Sequence, residues 1–258
     1  MNAPLPLQGL GVVITRPRTA AEALAASLER DGARAFVFPA LSIEPVESSP
    51  ALEAALAGLG RCDLAIFVSA NAVEHGLALS SRAGPWPRSV AVAAIGEATA
   101  QALRNSGIEH VISPPERHDS EGLLALAQLR SVKGQNIIVF RGEGGRERIK
   151  ETLEERGARV EYAECYRRVK PQADAKPLIA AWRRGEVHAV SALSVETLRN
   201  FVAMAGPDGE APMASATLVV PHEAIAADPI ARRFARVEIA AHGAEGLIEA
   251  LSRIRVTP

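Results

Sequence analysis

Long apolar runs are missing from this chain: nothing in its 258 residues approaches the roughly 20 consecutive apolar residues a membrane-spanning helix needs. Its start, Met1 to Gln8 (MNAPLPLQ), has neither the basic opening nor the apolar middle of a secretory signal, so the chain is expected in the cytoplasm, off any membrane. Cysteine is scarce. Cys62 and Cys165 stand far apart in no ligand-like spacing, which argues against a disulfide or metal site and for two reduced thiols in or near the core. An excess of one charge is missing too, because 29 Lys and Arg face 30 Asp and Glu for a net charge of −1. With no Lys/Arg run either, nothing attracts nucleic acid. An anionic partner must be small enough to be met by a few basic residues. Arg16 with Arg18, Arg141 with Arg146 and Arg148, and Arg167 with Arg168 are candidates, although most such arginines are solvated surface residues.

What is present is an ordinary globular composition, 48% hydrophobic and 23% charged, at a length for which two domains are the default. Self-comparison supplies the architecture. Gly32-Ala33-Arg34 returns as Gly157-Ala158-Arg159, 125 residues on, and the same offset carries Arg16 to Arg141, Leu24 to Ile149, Leu28 to Leu153 and Ser69 to Ser194. Val73 and Leu77 likewise return as Leu198 and Val202, and Glu121-Gly122-Leu123 as Glu245-Gly246-Leu247 at an offset of 124. The chain reads as two copies of one unit.

Within a unit the periods are those of alternating strands and helices. Gly11 to Thr15 is a buried-strand run, followed by a helix over Ala20 to Arg30 with Leu24 and Leu28 on one face and Gly32 as its stop. Ala35 to Phe38, and Val160 to Ala163 in the second copy, read as strands. Leu64 to Val68 is a strand ending at Ser69, a helix cap, and Ala91 to Ile95, Gly96 and Glu97 to Arg104 repeat the pattern. Near-continuously apolar strands alternating with helices predict an α/β fold with parallel sheets covered on both faces. The Pro-bearing stretches Pro39 to Pro50 and Arg167 to Pro177 predict two extended strands linking two lobes. Whether each copy folds by itself or trades its first strand–helix unit is open at this level.

Ligands of open α/β sheets sit outside the carboxyl ends of the strands, where Thr15, Arg16, Ser69, Thr99, Arg141, Gly142 and Ser194 fall. If the lobes face each other, these residues line one cleft. Arg141-Gly142-Glu143-Gly144-Gly145 follows a strand and is expected to open a helix, a context for an anion-binding turn or a plain tight turn. The dinucleotide fingerprint fails, since Glu147 stands at its third glycine position. Ser69 and Ser194 are helix caps at the least, and neither sits in a hydrolase Gly-x-Ser-x-Gly elbow. His75, His110, His118, His188, His222 and His242 show no metal spacing; His222, at a strand end, is the one to watch. Tyr166 closes the strand Glu161 to Tyr166 and reads either as a proton donor or ligand contact, or as packing.

Taken together, several segments resemble bacterial uroporphyrinogen-III synthase: Ile14-Thr15-Arg16-Pro17, Ala94 to Ala100 (AIGEATA), Arg141 to Glu147 (RGEGGRE) running to Gly157-Ala158, and Glu164-Cys165-Tyr166-Arg167-Arg168. The likeness spans nearly the whole chain in order and is most specific from Arg141 to Arg168. It implies two flavodoxin-like (Rossmann-like) lobes with the first strand–helix unit packed into the C-terminal lobe. One lobe would comprise residues 1–38 plus 169–258 and the other 42–165, with linkers near 39–41 and 166–168.

The resemblance also implies a cofactor-free, metal-free monomer. Its reaction would be the dehydrating cyclisation of linear hydroxymethylbilane, a tetrapyrrole with eight carboxylates, to uroporphyrinogen III with its last ring inverted, a step of haem biosynthesis. In the family's scheme, loss of hydroxide gives an azafulvene, and a spiro intermediate then reopens and recloses. The family's tyrosine, an acid for the departing hydroxyl, matches Tyr166. Its cleft-lining positions match Thr99, Ser69 and Ser194, and Thr15, Arg16, Arg141, Gly142 and His222 complete the expected substrate contacts. One departure is that Pro221-His222-Glu223-Ala224 stands where some relatives have a Gly-x-Thr-Thr turn. The alternative is a non-catalytic two-lobed binding or regulatory relative of the same fold. A nucleotide-binding enzyme is weakened by the broken fingerprint.

Overall fold

Short apolar runs set the strands of the computed structural model, which describes residues 5–254. They are Gly11–Ile14 (β1), Arg34–Val37 (β2), Ser42–Pro45 (β3), Leu64–Phe67 (β4), Ala91–Ala94 (β5), Val111–Ile112 (β6), Asn136–Gly142 (β7), Arg159–Val169 (β8), Ala189–Ser191 (β9), Thr217–Val220 (β10) and Arg236–Ile239 (β11). The helices are Arg18–Arg30 (α1), Pro50–Gly58 (α2), Ala70–Ser80 (α3), Glu97–Asn105 (α4), Ser120–Ala125 (α5), Ala127–Arg130 (α6), Arg148–Glu155 (α7), Lys176–Arg183 (α8), Val195–Ala205 (α9), Glu210–Met213 (α10), Glu223–Ala226 (α11) and Gly243–Ser252 (α12). None of them is long and apolar enough to cross a membrane.

The chain divides into two compact units, one made of the residues up to Ser42 and from Val169 onward, the other of Ile43–Arg168. Unit 1 holds a five-stranded sheet in the order β2-β1-β9-β10-β11, and unit 2 a six-stranded sheet in the order β8-β7-β4-β5-β6 with β3 added beside β8. The recorded pairings within both sheets are parallel. At the 125-residue offset β1 corresponds to β7, β2 to β8 and β4 to β9, while α3 (70–80) falls on α9 (195–205) residue for residue. Corresponding strands therefore stand in the same order in both sheets, the 2-1-3-4-5 order of flavodoxin-like folds.

Each sheet is a hybrid of the two copies. β1, α1 and β2 of the first copy join β9, β10 and β11 of the second, while β7, α7 and β8 of the second join β4, β5 and β6 of the first. The exchange that the sequence left open has taken place. Residues 166–168, expected in a linker, form the end of β8, which runs up to the division between the units; a bulge at Cys165, opposite Arg141 and Gly142, leaves Cys165 and Tyr166 both buried in the core of unit 2.

Both faces of each sheet are covered, as wholly buried β1, β4 and β10 require. In unit 1, Val13, Val190 and Leu218 pack with Trp182 and Phe201 on one face, and Val12, Ile14 and Val219 with Leu24, Leu28 and Leu247 on the other. In unit 2, Phe67 and Phe140 stack at 4.6 Å on one face, while Ile66 and Val139 meet Ile149 and Leu153 on the other. Truncating a buried leucine such as Leu28 or Leu153 costs about 2–5 kcal/mol.

The repeated Gly-Ala is a helix stop with a physical cause. Gly32 and Gly157 take φ +93° and +87°, a left-handed conformation that disfavours side chains. The next amide then reaches back, Ala33 N–H to Leu28 O and Ala158 N–H to Leu153 O, each at 3.0 Å. This satisfies carbonyls the helix end leaves open.

A second equivalence lies where β1 and β7 begin. Gly11 N–H donates to His188 Nδ1 at 2.9 Å in unit 1, and Asn136 N–H donates to Asp63 Oδ2 at 2.8 Å in unit 2. Donors and acceptors are both 125 residues apart. A central strand opens on a side-chain acceptor in each unit, an imidazole in one and a carboxylate in the other.

Candidate functional site

Each unit carries a cavity at the carboxyl ends of its strands. In unit 1 it measures about 300 Å³ and is lined by Arg16 after β1, Ser191 and Leu193 of the β9 end, Pro221 and His222 after β10, and Ala241 and His242 after β11, among others. In unit 2 it measures about 360 Å³ and is lined by Val68 after β4, Ile95 after β5, Arg141 and Gly142 of β7, Gly144 to Arg146, and Tyr162, Tyr166 and Arg168 of β8, among others. The cavities correspond: Arg16 matches Arg141 and Leu193 matches Val68 at 125 residues.

The two arginines differ in state. Arg141 is 5% exposed, and its guanidinium donates to Glu147 Oε1 at 3.1 Å, to the Gly142 carbonyl at 3.3 Å and to the Gly144 carbonyl, with its plane 4.3 Å from the Tyr162 ring centre. This corrects the expected helix-opening turn. β7 runs on to Gly142 and α7 starts only at Arg148, so Gly144 and Gly145 lie ahead of the helix in a turn pinned by Arg141. Arg16 is half-buried, its Nε is buried without a hydrogen-bond partner among the described residues, and burial lowers it from the ordinary guanidinium value.

Tyr166 sits 2% exposed with its hydroxyl 3.1 Å from Ser69 Oγ. That serine also caps α3 by accepting from Ala72 N–H at 3.1 Å. The ring lies against Gly142, where a Cβ would come within 2.6 Å of Tyr166 Cε2. Absence of a side chain at Gly142 is what seats the phenol. Nearby, Tyr162 has a buried hydroxyl without a hydrogen-bond partner among the described residues, and burial, reinforced by Glu147, pushes its phenol up to about 12.

The remaining expected contacts fall in both units. Thr15 is fully buried and its hydroxyl donates to the Ser191 carbonyl at 2.7 Å, joining β1 to β9 at the rim of unit 1. Thr99 is buried in the first turn of α4. Ser194 caps α9 through Thr197 N–H at 3.1 Å and meets Thr197 Oγ1 at 2.9 Å, whereas its counterpart Ser69 meets Tyr166. Arg16 and His222 share the unit 1 cavity; Arg141, Gly142 and Tyr166 share that of unit 2. Sequence reading passed over His242, whose ring centre lies 4.7 Å from that of His222. Its signal was a histidine just past each of two adjacent strands.

Both cysteines are free and buried; burial pushes Cys165 up to about 12 and raises Cys62, which keeps both thiols protonated. No group of three or more His, Cys, Asp or Glu among the described residues could hold a metal ion.

Comparison with known proteins gives the fold a lineage. The family model described as Uroporphyrinogen-III synthase HemD matches residues 22–249. Uroporphyrinogen-III synthase of Escherichia coli (strain K12) is 36% identical over 193 residues, 74% of this chain and 78% of that protein. That of Synechococcus elongatus is 33% identical over 202 residues, 76% of this chain and 75% of the relative. Among solved structures, uroporphyrinogen-III synthetase from Helicobacter pylori aligns with a TM-score of 0.58 at 12% identity, covering 93% of this chain and 97% of that one. A mutant uroporphyrinogen III synthase from Thermus thermophilus aligns at 0.56 and 19% identity, covering 92% and 96%. These two likenesses speak for the fold, and the sequence relatives for kinship. The chain belongs to the uroporphyrinogen-III synthase family.

Proposed function

We propose that this chain converts linear hydroxymethylbilane to uroporphyrinogen III, losing water and inverting the last ring. The observation that carries the proposal is the 36% identity to the Escherichia coli synthase across three quarters of the chain. As a member of that family the chain is an enzyme of tetrapyrrole biosynthesis. The finer reading is a cytoplasmic monomer that takes its substrate without nucleic acid, membrane, metal or cofactor.

The chemistry asks for a proton at a departing hydroxyl and for a flexible polyanion held in one pose. Tyr166 lines the unit 2 cavity with its hydroxyl 3.1 Å from Ser69 Oγ; with Ser69 as the donor of that bond, the phenol O–H is left for the departing hydroxyl. Arg168 passes 6.0 Å from the Tyr166 ring centre and stands exposed beside it, able to meet a substrate carboxylate, as Arg146 is. Holding the chain's end beside such a donor favours one closure over the uncatalysed one. This supports Tyr166 as the acid, Ser69 as its positioning partner, and Arg16, His222, Arg146 and Arg168 as carboxylate contacts.

Purified protein given fresh hydroxymethylbilane should turn the product from isomer I to isomer III without added metal or nucleotide; isomer I alone would leave only a binding relative. Tyr166→Phe should lower kcat at least tenfold, about 1.4 kcal/mol of barrier, with little change in stability. Unchanged kcat would return Tyr166 to packing.

A further inference from the structure

The unit 1 cavity is lined by a guanidinium and two imidazoles and by no carboxylate. Among its lining residues are Arg16, His222 and His242 but no Asp or Glu. No carboxylate among the described residues pairs with Arg16, whose Nε is removed from water without a partner. An unmatched buried polar atom of this kind is costly unless something outside the protein completes it. Its equivalent in unit 2 shows what completion looks like, since Arg141 has Glu147 and two carbonyls.

Around Arg16 the walls have two characters. His222 and His242 stand edge to face at 4.7 Å, bringing two imidazoles to one mouth from the turns after β10 and β11. Opposite in character is Leu193, one of the few large apolar side chains left exposed, at 42%. A site with a guanidinium, two imidazole N–H donors and an apolar wall matches a group that is carboxylate at its end and hydrocarbon or aromatic at its root. Guanidinium bonds to carboxylate are among the stronger hydrogen bonds available.

We infer that Arg16, His222 and His242 form a carboxylate subsite that takes one acid-bearing ring of the substrate, the acid between Arg16 and the imidazole pair and the ring on Leu193. The assignment rests on the synthase reading for the identity of its ligand, but the pocket stands on its own geometry. His242 thereby acquires a role, and the Pro221-His222 turn becomes an alternative way of holding an acid.

Two measurements separate the pocket from the reaction. First, the histidine ring resonances of the intact protein are followed by NMR while succinate, the small probe, is added. Two of the six histidines should shift, assigned to His222 and His242 by their loss in His222→Gln and His242→Gln, and Arg16→Gln should abolish both shifts. Second, steady-state cyclisation is measured for the same variants. Arg16→Gln should raise KM about tenfold with kcat within twofold, and Arg16→Lys should recover part of the loss. The two surface histidine variants, which leave the core untouched, should each raise KM about threefold.

Isomer III formation with wild-type KM in all variants would overturn the subsite and leave the synthase standing. Succinate shifts at His222 and His242 without isomer III formation would uphold the carboxylate pocket and overturn the synthase. Inorganic phosphate displacing succinate at equal concentration would overturn carboxylate selectivity.

Discussion

Arg16 and Arg141 occupy the same place in two copies of one fold, yet each nitrogen of one guanidinium is bonded to its own chain and the other has a buried Nε without a partner among the described residues. In unit 2 the arginine has become part of the scaffold: it pins the Gly142–Gly145 turn, and Arg146 and Arg168 stand exposed beside the cavity. In unit 1 the backbone needs no such pin, because Thr15 ties β1 to β9 through the Ser191 carbonyl. A repeated residue therefore does not repeat its work; what surrounds the guanidinium decides whether it builds or binds.

The sharpest break of that comparison is to remove both arginines in turn. Arg141→Met should lower unfolding free energy by about 3 kcal/mol, because three acceptors lose a buried charged donor. Arg16→Met should stay within about 0.5 kcal/mol, having no hydrogen bond to lose among the described residues. Denaturant midpoints of the two variants decide it, and equal losses would erase the distinction. Next in size, Gly142→Ala should cost about 2 kcal/mol and displace the Tyr166 ring, since the new methyl would sit 2.6 Å from it. Near-ultraviolet circular dichroism would report the tyrosine's movement, and a silent spectrum would count against the contact.

The smallest effect concerns the two strand-opening acceptors. Burial lowers the His188 imidazole below its ordinary value, so the unfolded chain takes up that proton first as pH falls. Its contribution is whole above about pH 6.5 and is lost as the solution is acidified below that, by under about 1 kcal/mol given its partial exposure. His188→Asn should flatten the fall in stability between about pH 7.5 and about pH 5.5. An unaltered slope would place the acid sensitivity elsewhere.

Much of this was legible in the chain, for reasons that differ by residue. Gly32-Ala33 and Gly157-Ala158 announced themselves because a left-handed helix stop needs glycine whatever the rest of the protein does. Ser69 and Ser194 were readable as caps because the bond each accepts is local, three residues on. The exchange of strands was not readable from the residues, although the family likeness implied it. β4 and β9 are equally apolar runs, and composition does not choose which of them β1 pairs with at such distances. Nor was the fate of Arg141, which depends on Glu147, at the cap of the following helix, and on Tyr162 of the adjacent strand. The pairing of His222 with His242 depends on β10 and β11 being neighbours, a fact of the sheet.

The hybrid sheets also set an order of events during synthesis. Every strand of unit 2 lies between Ser42 and Val169, so its sheet can close as soon as that stretch has left the ribosome. β1 must wait for β9, 175 or more residues downstream, before its second edge is covered. Until then the first β-α-β piece carries a fully apolar strand with one neighbour, and the nascent chain is most exposed to mispairing over that interval.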